Sequence, residues 1–126
     1  MRCLGIDYGK KRVGVAISDE TGKVAFPHAT LLNNNGLMET VERLCKERAV
    51  SKIVIGESRD FAGKFNLIAK DIETFKNELS ARVRLPVHYE PEFWTSVQAK
   101  RWQGKTDKLD ASAAAIILQS YLDRKS

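Results

Sequence analysis

Arg2-Cys3-Leu4-Gly5-Ile6-Asp7-Tyr8-Gly9 followed by Lys10-Lys11-Arg12-Val13-Gly14-Val15-Ala16-Ile17-Ser18 is the stretch on which the fold turns. Arg2 to Asp7 is a short apolar run ending in a tight Tyr8-Gly9 turn, and Arg12 to Ser18 alternates Val13, Val15 and Ile17 with smaller residues. Apolar residues at every second position mark a strand. The few residues between the two runs leave room only for an antiparallel connection. Asp19-Glu20-Thr21-Gly22 then reads as a turn, and Val24 to Leu31 as a third strand whose Pro27 suits a sheet edge or a bulge.

Beyond this meander the periodicity changes. Asn33-Asn34-Asn35-Gly36 supplies turn and cap residues for a helix over 37–48, with Leu37, Val41, Leu44 and Cys45 on one stripe. Ile53-Val54-Ile55 is β-branched and too short for a helix, so it predicts a buried strand ending at Gly56-Glu57. A polar loop over 59–66 precedes a second helix bearing Ile68, Ile72, Phe75 and Leu79 on one face. Leu85 to Tyr89 predicts a fifth strand, and Thr95 a cap for a short helix through Arg101. The segment 103–108 is polar and basic, and a last helix is expected from Asp110 to Leu122. The order β-β-β-α-β-α-β-α-α describes an α/β fold: a mixed five-stranded sheet with helices on both faces.

The 126 residues suffice for one domain, 1–126, with one core. With 43% hydrophobic and 29% charged residues, the composition excludes collagen-like and wholly disordered chains. No apolar run approaches the ~20 residues of a membrane helix, and the N-terminus opens on a strand rather than a signal peptide, so a soluble cytoplasmic protein is expected. Cys3 and Cys45 fall at core positions, while His28 and His88 have no cysteine at metal spacing, which argues against zinc. The 21 Lys and Arg against 16 Asp and Glu give a net charge of +5, compatible with a nucleic-acid partner.

Four acids stand out by position. Asp7 ends the first strand, Glu57 closes the fourth, Glu92 follows the fifth, and Asp110 opens the last helix. Ligands of α/β sheets bind where strand ends and helix starts converge. Carboxylates gathered there repel one another unless a hard cation such as Mg²⁺ or Mn²⁺ neutralises them, and two such ions serve phosphodiester hydrolysis. Each acid also has an ordinary reading as a turn former or helix cap. By pattern alone, Asp107 competes with Asp110 and Glu90 with Glu92. Lys10, Lys11 and Arg12 lie on one side of these acids in the chain and Lys100, Arg101, Lys105 and Lys108 on the other, a distribution suited to a phosphate backbone. Trp102 and Trp94 are candidates for base stacking, with Phe93 more at home against a helix. Asp123-Arg124-Lys125-Ser126 reads as a frayed terminus. Gly104-Lys105-Thr106 mimics the end of a P-loop, but Ala99 stands where that motif needs glycine.

The run Gly5 to Asp19 resembles the opening signature of the YqgF/RuvX family, small bacterial proteins of the RNase H-like superfamily related to the RuvC resolvase. Leu109-Asp110-Ala111-Ser112-Ala113-Ala114-Ala115-Ile116-Ile117-Leu118-Gln119-Ser120-Tyr121-Leu122-Asp123 resembles that family's last helix. The resemblance implies Asp7 and Asp110 as metal ligands. Its Glu-Arg-Leu-Thr-Thr motif falls on Glu92-Phe93-Trp94-Thr95-Ser96, which selects Glu92, with Phe93 replacing the arginine. Where the family has Gly-Leu-Pro this chain has Gly56-Glu57-Ser58. RuvC-like relatives place a catalytic glutamate near that point, which offers Glu57 as a fourth ligand against its reading as a loop acid. The implied activity is a Mg²⁺- or Mn²⁺-dependent endonuclease processing the 5′ end of precursor 16S rRNA, or resolving four-way DNA junctions, as a monomer or homodimer. A catalytically silent RNA-binding module is the third reading. Actin-like ATPases share the first-strand motif, but their two lobes do not fit within this length.

Overall fold

Alternation in the opening hairpin produces two faces, and each face recruits its own helices. The computed structural model describes residues 1–57, 68–91 and 107–125. Strands β1 (Arg2–Tyr8) and β2 (Arg12–Ser18) pair antiparallel from Leu4 opposite Ile17 to Tyr8 opposite Val13. Strand β3 (Ala25–Leu32) pairs antiparallel with β2 and forms an edge of the sheet. Pro27 meets both expectations for it: it lies on the edge strand, and the register shifts beside its partner Ala16. There its missing N–H costs the ladder little.

The Asp19 turn is held by its own carboxylate, which accepts from the Lys23 N–H at 2.9 Å and the Thr21 hydroxyl at 2.8 Å. Gly22 adopts φ 72°, where glycine alone has no steric cost. These bonds, the Lys23 N–H first and the Thr21 hydroxyl next, hold the Asp19 carboxyl below its ordinary range.

Strands β4 (Val50–Glu57) and β5 (Val87–Pro91) extend the other side of β1 in parallel, giving the order β3-β2-β1-β4-β5. Parallel neighbours need crossovers. Helix α1 (Leu37–Glu47) lies in the connection from β3 to β4, and α2 (Ile68–Val83) in that from β4 to β5. Helix α3 (Asp107–Lys125) closes the chain. Leu4, Ile6, Val13, Val15, Ile53 and Ile55 on one face pack with Leu37, Val41 and Cys45 of α1 and Ile72, Phe75 and Leu79 of α2. Cys3, Ala16 and Val54 on the other face pack with Ala114, Ile117, Leu118, Tyr121 and Leu122 of α3. The expected mixed five-stranded sheet with helices on both faces is therefore present.

Some boundaries moved for physical reasons. The fifth strand runs over 87–91 rather than 85–89, because Pro86 contributes only its carbonyl, accepting from the Ile53 N–H at 2.9 Å, before the ladder begins. It then continues through Glu90, whose charge is compensated as described below. Helix α3 starts at Asp107, three residues before the expected Asp110. The α1 N-cap is Gly36 without a side-chain bond, and Asn34 instead accepts from the Gly36 N–H at 3.0 Å. The expected loop over 59–66, the short helix from Thr95 to Arg101 and most of the basic segment 103–108 lie outside the described residues. Cys3 and Cys45 are buried free thiols, as their core positions predict, and burial raises both, Cys45 to about 11. Among the described residues no helix is long and apolar enough to cross a membrane.

The two layers differ in thickness at Gly5. A Cβ there would lie 2.7 Å from Leu118 Cβ and 3.0 Å from the Ala114 carbonyl, so α3 rests on bare backbone. Gly5→Ala is expected to cost about 1–3 kcal/mol in urea unfolding, because neither the helix backbone nor a Cβ can rotate away. Stability also has an acid-sensitive part. A carboxyl lowered by folding stabilises above its unfolded pKa of about 3.9 and loses that contribution as pH falls through the folded value. The stability difference between the wild type and Asp19→Asn should therefore shrink in melts below about pH 4.

Candidate functional site

Side-chain alternation along β1 sends Leu4, Ile6 and Tyr8 to the α1/α2 layer, where Tyr8 packs 5.0 Å from Phe75. Cys3, Gly5 and Asp7 consequently face α3. Asp7 pairs with Gly14 on β2. One residue earlier, Ile6 aligns with Ile55 and Ile55 with Tyr89, so Asp7 is level with Gly56 on β4 and Glu90 on β5. The row across the sheet reads Thr30, Gly14, Asp7, Gly56, Glu90. Asp7 is thus a carboxylate only 9% exposed, on the central strand, with a glycine on each side. The two glycines place no side chain beside Asp7 in that row.

The turn beyond Asp7 is tightly specified. A Cβ on Gly9 would fall 2.5 Å from the Arg12 carbonyl, so only glycine fits. Asn33, just past β3, donates its Nδ2–H to the Gly9 carbonyl at 2.7 Å and its backbone N–H to the Lys11 carbonyl at 2.9 Å. Two hydrogen bonds and one steric limit therefore fix the path of the chain from Asp7 to Arg12. Lys10 and Lys11 are exposed at its tip, and Arg12 is half-buried opposite Leu32.

Helix α3 runs toward the same end of the sheet. Gln119 accepts from the Ala25 N–H at 2.9 Å. Ala25 pairs with Ser18, whose hydroxyl accepts from the Cys3 N–H at 2.8 Å. Gln119 thus lies at the level of Cys3, and Ala114 lies over Gly5. Going backward along α3 therefore follows β1 forward. Asp110 lies about 6 Å before Ala114 on the helix, and Asp7 about 7 Å beyond Gly5 on the strand. The positive end of the α3 dipole points the same way, toward the end of β1 that bears Asp7, and favours negative charge there.

The other expected site residues divide as follows. Glu57 is the last residue of β4, opposite Pro91. Asp110 and Lys108 are in the first turn of α3, together with Asp107. The side chains of Glu57, Lys108 and Asp110, and the whole of Glu92, Lys100, Arg101, Trp102 and Lys105, lie outside the described residues. Among the described residues no three His, Cys, Asp or Glu side chains gather to hold a metal ion. Asp7 itself fits one: hard divalent cations take carboxylate oxygens, and this carboxylate sits among glycines at a strand end.

Glu90, the rival of Glu92, has a different role. Its side chain is 8% exposed, and the Arg124 guanidinium donates to its Oε1 at 2.6 Å. Arg124 is accordingly a working part of α3 and not a frayed terminus. Its charge relieves the cost of burying Glu90. Sequence reasoning also missed Asn33 and Gln119. Asn33 was absorbed into a turn-forming run, whereas Gln119 gave a usable signal, a polar residue closing the apolar stretch from Ala113 to Leu118.

The chain resembles known proteins over nearly all of its length. The family model described as RuvX, Holliday junction resolvase, matches residues 1–124. A Thermosynechococcus vestitus protein named "Putative pre-16S rRNA nuclease" is 33% identical over 98% of this chain and 88% of its own length. A Crocosphaera subtropica protein of the same name is 37% identical over 97% of this chain and 92% of its own. Among solved structures, Thermus thermophilus RuvC in complex with a Holliday junction substrate superposes with a TM-score of 0.66, covering 99% of this chain and 96% of that one. At 13% identity this likeness bears on the fold, which is that of RNase H-like resolvases.

The specification of the Asp7–Arg12 turn is open to test. Gly9→Ala should lower stability by about 1–3 kcal/mol, because the obstructing atom is a backbone oxygen. Asn33→Leu should raise amide hydrogen exchange in residues 9–11 while leaving exchange in β4 unchanged, as measured by mass spectrometry.

Proposed function

Because the chain belongs to the RuvX family, we propose that it is an endonuclease hydrolysing phosphodiesters in structured nucleic acid, with a divalent-metal requirement and precursor 16S rRNA, cut near its 5′ end, as its substrate. The observation that carries the reading is Asp7: a buried carboxylate on the central strand, flanked by glycines and approached by the N-terminal end of α3. The rRNA substrate rests on the naming of relatives that match almost end to end.

In this reading Asp7, Glu92 and Asp110, with Glu57 as a fourth member, hold one or two Mg²⁺ or Mn²⁺ ions. A metal held there would supply a more acidic water and charge stabilisation for the leaving oxygen. The protein's own part is to hold the carboxylates at fixed separation and to orient the phosphate. Asp7 sits on the strand that the sheet immobilises on both sides, which suits a fixed ligand. Lys10, Lys11 and Arg12 neutralise phosphates on one side of the acids. Lys100, Arg101, Lys105 and Lys108 do so on the other, with Trp102 stacking on a base. No histidine base is required.

The second reading, resolution of four-way DNA junctions, is favoured by the family's description and by Glu57, which gives a RuvC-like set of four acids. It calls for a two-fold dimer presenting two sites, whereas one cut in RNA needs only a monomer. Cleavage of precursor rRNA and of a four-way junction in the same Mg²⁺ or Mn²⁺ buffer separates the two substrates. Asp7→Asn and Asp110→Asn should each reduce cleavage at least about a hundredfold without loss of folding, and EDTA should do the same. Cleavage that persists in both variants rejects the metal site, and a preference for the junction reverses the order of substrates.

A further inference from the structure

We infer that Gln119 and Arg124 are positioning residues that set the register of α3 on the sheet, and through it the placement of Asp110 relative to Asp7; this rests on the nuclease reading above. The need for such residues follows from the surfaces in contact. Helix α3 meets the sheet through Ala114, Ile117, Leu118, Tyr121 and Leu122, packed with Cys3, Ala16 and Val54, and Ala114 and Leu118 lie over Gly5 of β1. Such apolar contact is non-directional, and hydrogen bonds add a specific resistance to sliding.

Polar contacts provide that resistance, at both edges of the sheet. On the β3 side, the Gln119 amide accepts from the Ala25 N–H and donates to the Lys23 carbonyl, both at 2.9 Å. These partners are backbone atoms, so the amide reads a fixed point on the edge strand. The same Nε2 lies 2.9 Å from Asp123 Oδ1, which orients the amide from within α3. On the opposite side, Arg124 reaches Glu90 of β5 at 2.6 Å. Because Glu90 is buried, displacing Arg124 would take a cation away from a desolvated carboxylate, at a cost in energy. The helix is thus tied to both edge strands, β3 and β5, across the full width of the sheet.

Register matters for chemistry because a slip of one residue moves every position on α3 by about 1.5 Å and turns it by about 100°. A carboxylate at position 110 would then leave the geometry that a shared metal site demands. Misplacement of about 1 Å is enough to cost on the order of a hundredfold in rate.

The test uses the full chain and the variants Gln119→Leu, Arg124→Ala and Arg124→Lys, at a temperature where melting curves show all of them folded. Three quantities are measured: Mn²⁺ binding without nucleic acid by electron paramagnetic resonance, kcat and KM for cleavage, and the nuclear Overhauser contact between Gly5 Hα and Leu118. Gln119→Leu and Arg124→Ala are expected to weaken Mn²⁺ binding about tenfold or more and lower kcat at unchanged KM, with a weakened or shifted Gly5 contact. Arg124→Lys should recover part of each. Wild-type Mn²⁺ affinity, kcat and Gly5 contact in variants that merely melt lower would overturn the inference, as would a change confined to KM. Asp7→Asn serves as the control for the reading beneath it. If that substitution leaves Mn²⁺ binding and cleavage intact, the nuclease reading fails, while the Gly5 contact still decides whether Gln119 and Arg124 set the register.

Discussion

The contact of α3 with the bare backbone of Gly5 is the constraint from which the arrangement of this molecule follows. With no side chain on the central strand at that point, Leu118 and the Ala114 carbonyl come within 3.0 Å of the place a Cβ would occupy. Where the helix passes over Gly5 its inner face carries Ala114, while Ile117, Tyr121 and Leu122 pack on the sheet farther along it. The same closeness brings the N-terminal turn of α3 toward the end of β1, where a strand at ordinary helix-on-sheet distance would leave a wider gap. Site geometry and packing are therefore one problem here.

The opposite face solves a different problem. Its layer is built from Ile, Leu, Val and Phe, and supplies most of the large buried side chains. That thick, dry layer immobilises β1 from beneath, so Asp7 projects from a strand fixed by β2 on one side, β4 on the other and the α1/α2 core below. If Asp7 serves as proposed, that rigidity matters beyond stability, since reactive geometry tolerates little drift. The α3 layer adds polar ties to its apolar contacts, through Gln119 on one side and the Glu90–Arg124 pair on the other.

Legibility in the sequence follows the same division. The hairpin and the stripes of α1 and α2 are readable because burial of large apolar groups imposes periods of two and about three and a half. Pro27 is readable because its missing N–H confines it to an edge. The place of Asp7 at the end of the first strand is readable, but its part is not, since an Asp before a glycine turn is also a common turn former. Glu90 and Arg124 are not readable, since each looks like a solvated charge until the fold brings 34 residues of separation down to 2.6 Å. The limits of β5 were misplaced for the same reason: a strand continues wherever its ladder continues, and a compensated glutamate does not interrupt it. Between Asp107 and Asp110, and between Glu90 and Glu92, local pattern does not choose, because it treats neighbouring acids alike; only the resemblance distinguishes them.

The fate of Glu90 shows why adjacent acids differ physically. Glu90 and Asp7 occupy one row of the sheet on one face, separated by Gly56. Two carboxylates so placed, both buried, would raise each other's energy unless each found a cation. Glu90 receives a permanent one from its own chain, the Arg124 guanidinium, at an edge where the helix tail is available. Asp7 lies between glycines that carry no charge and no side chain, beside a turn whose lysines point outward into solvent. The Arg124 ion pair satisfies the charge of Glu90 within the fold whether or not anything binds, which makes Glu90 a structural acid.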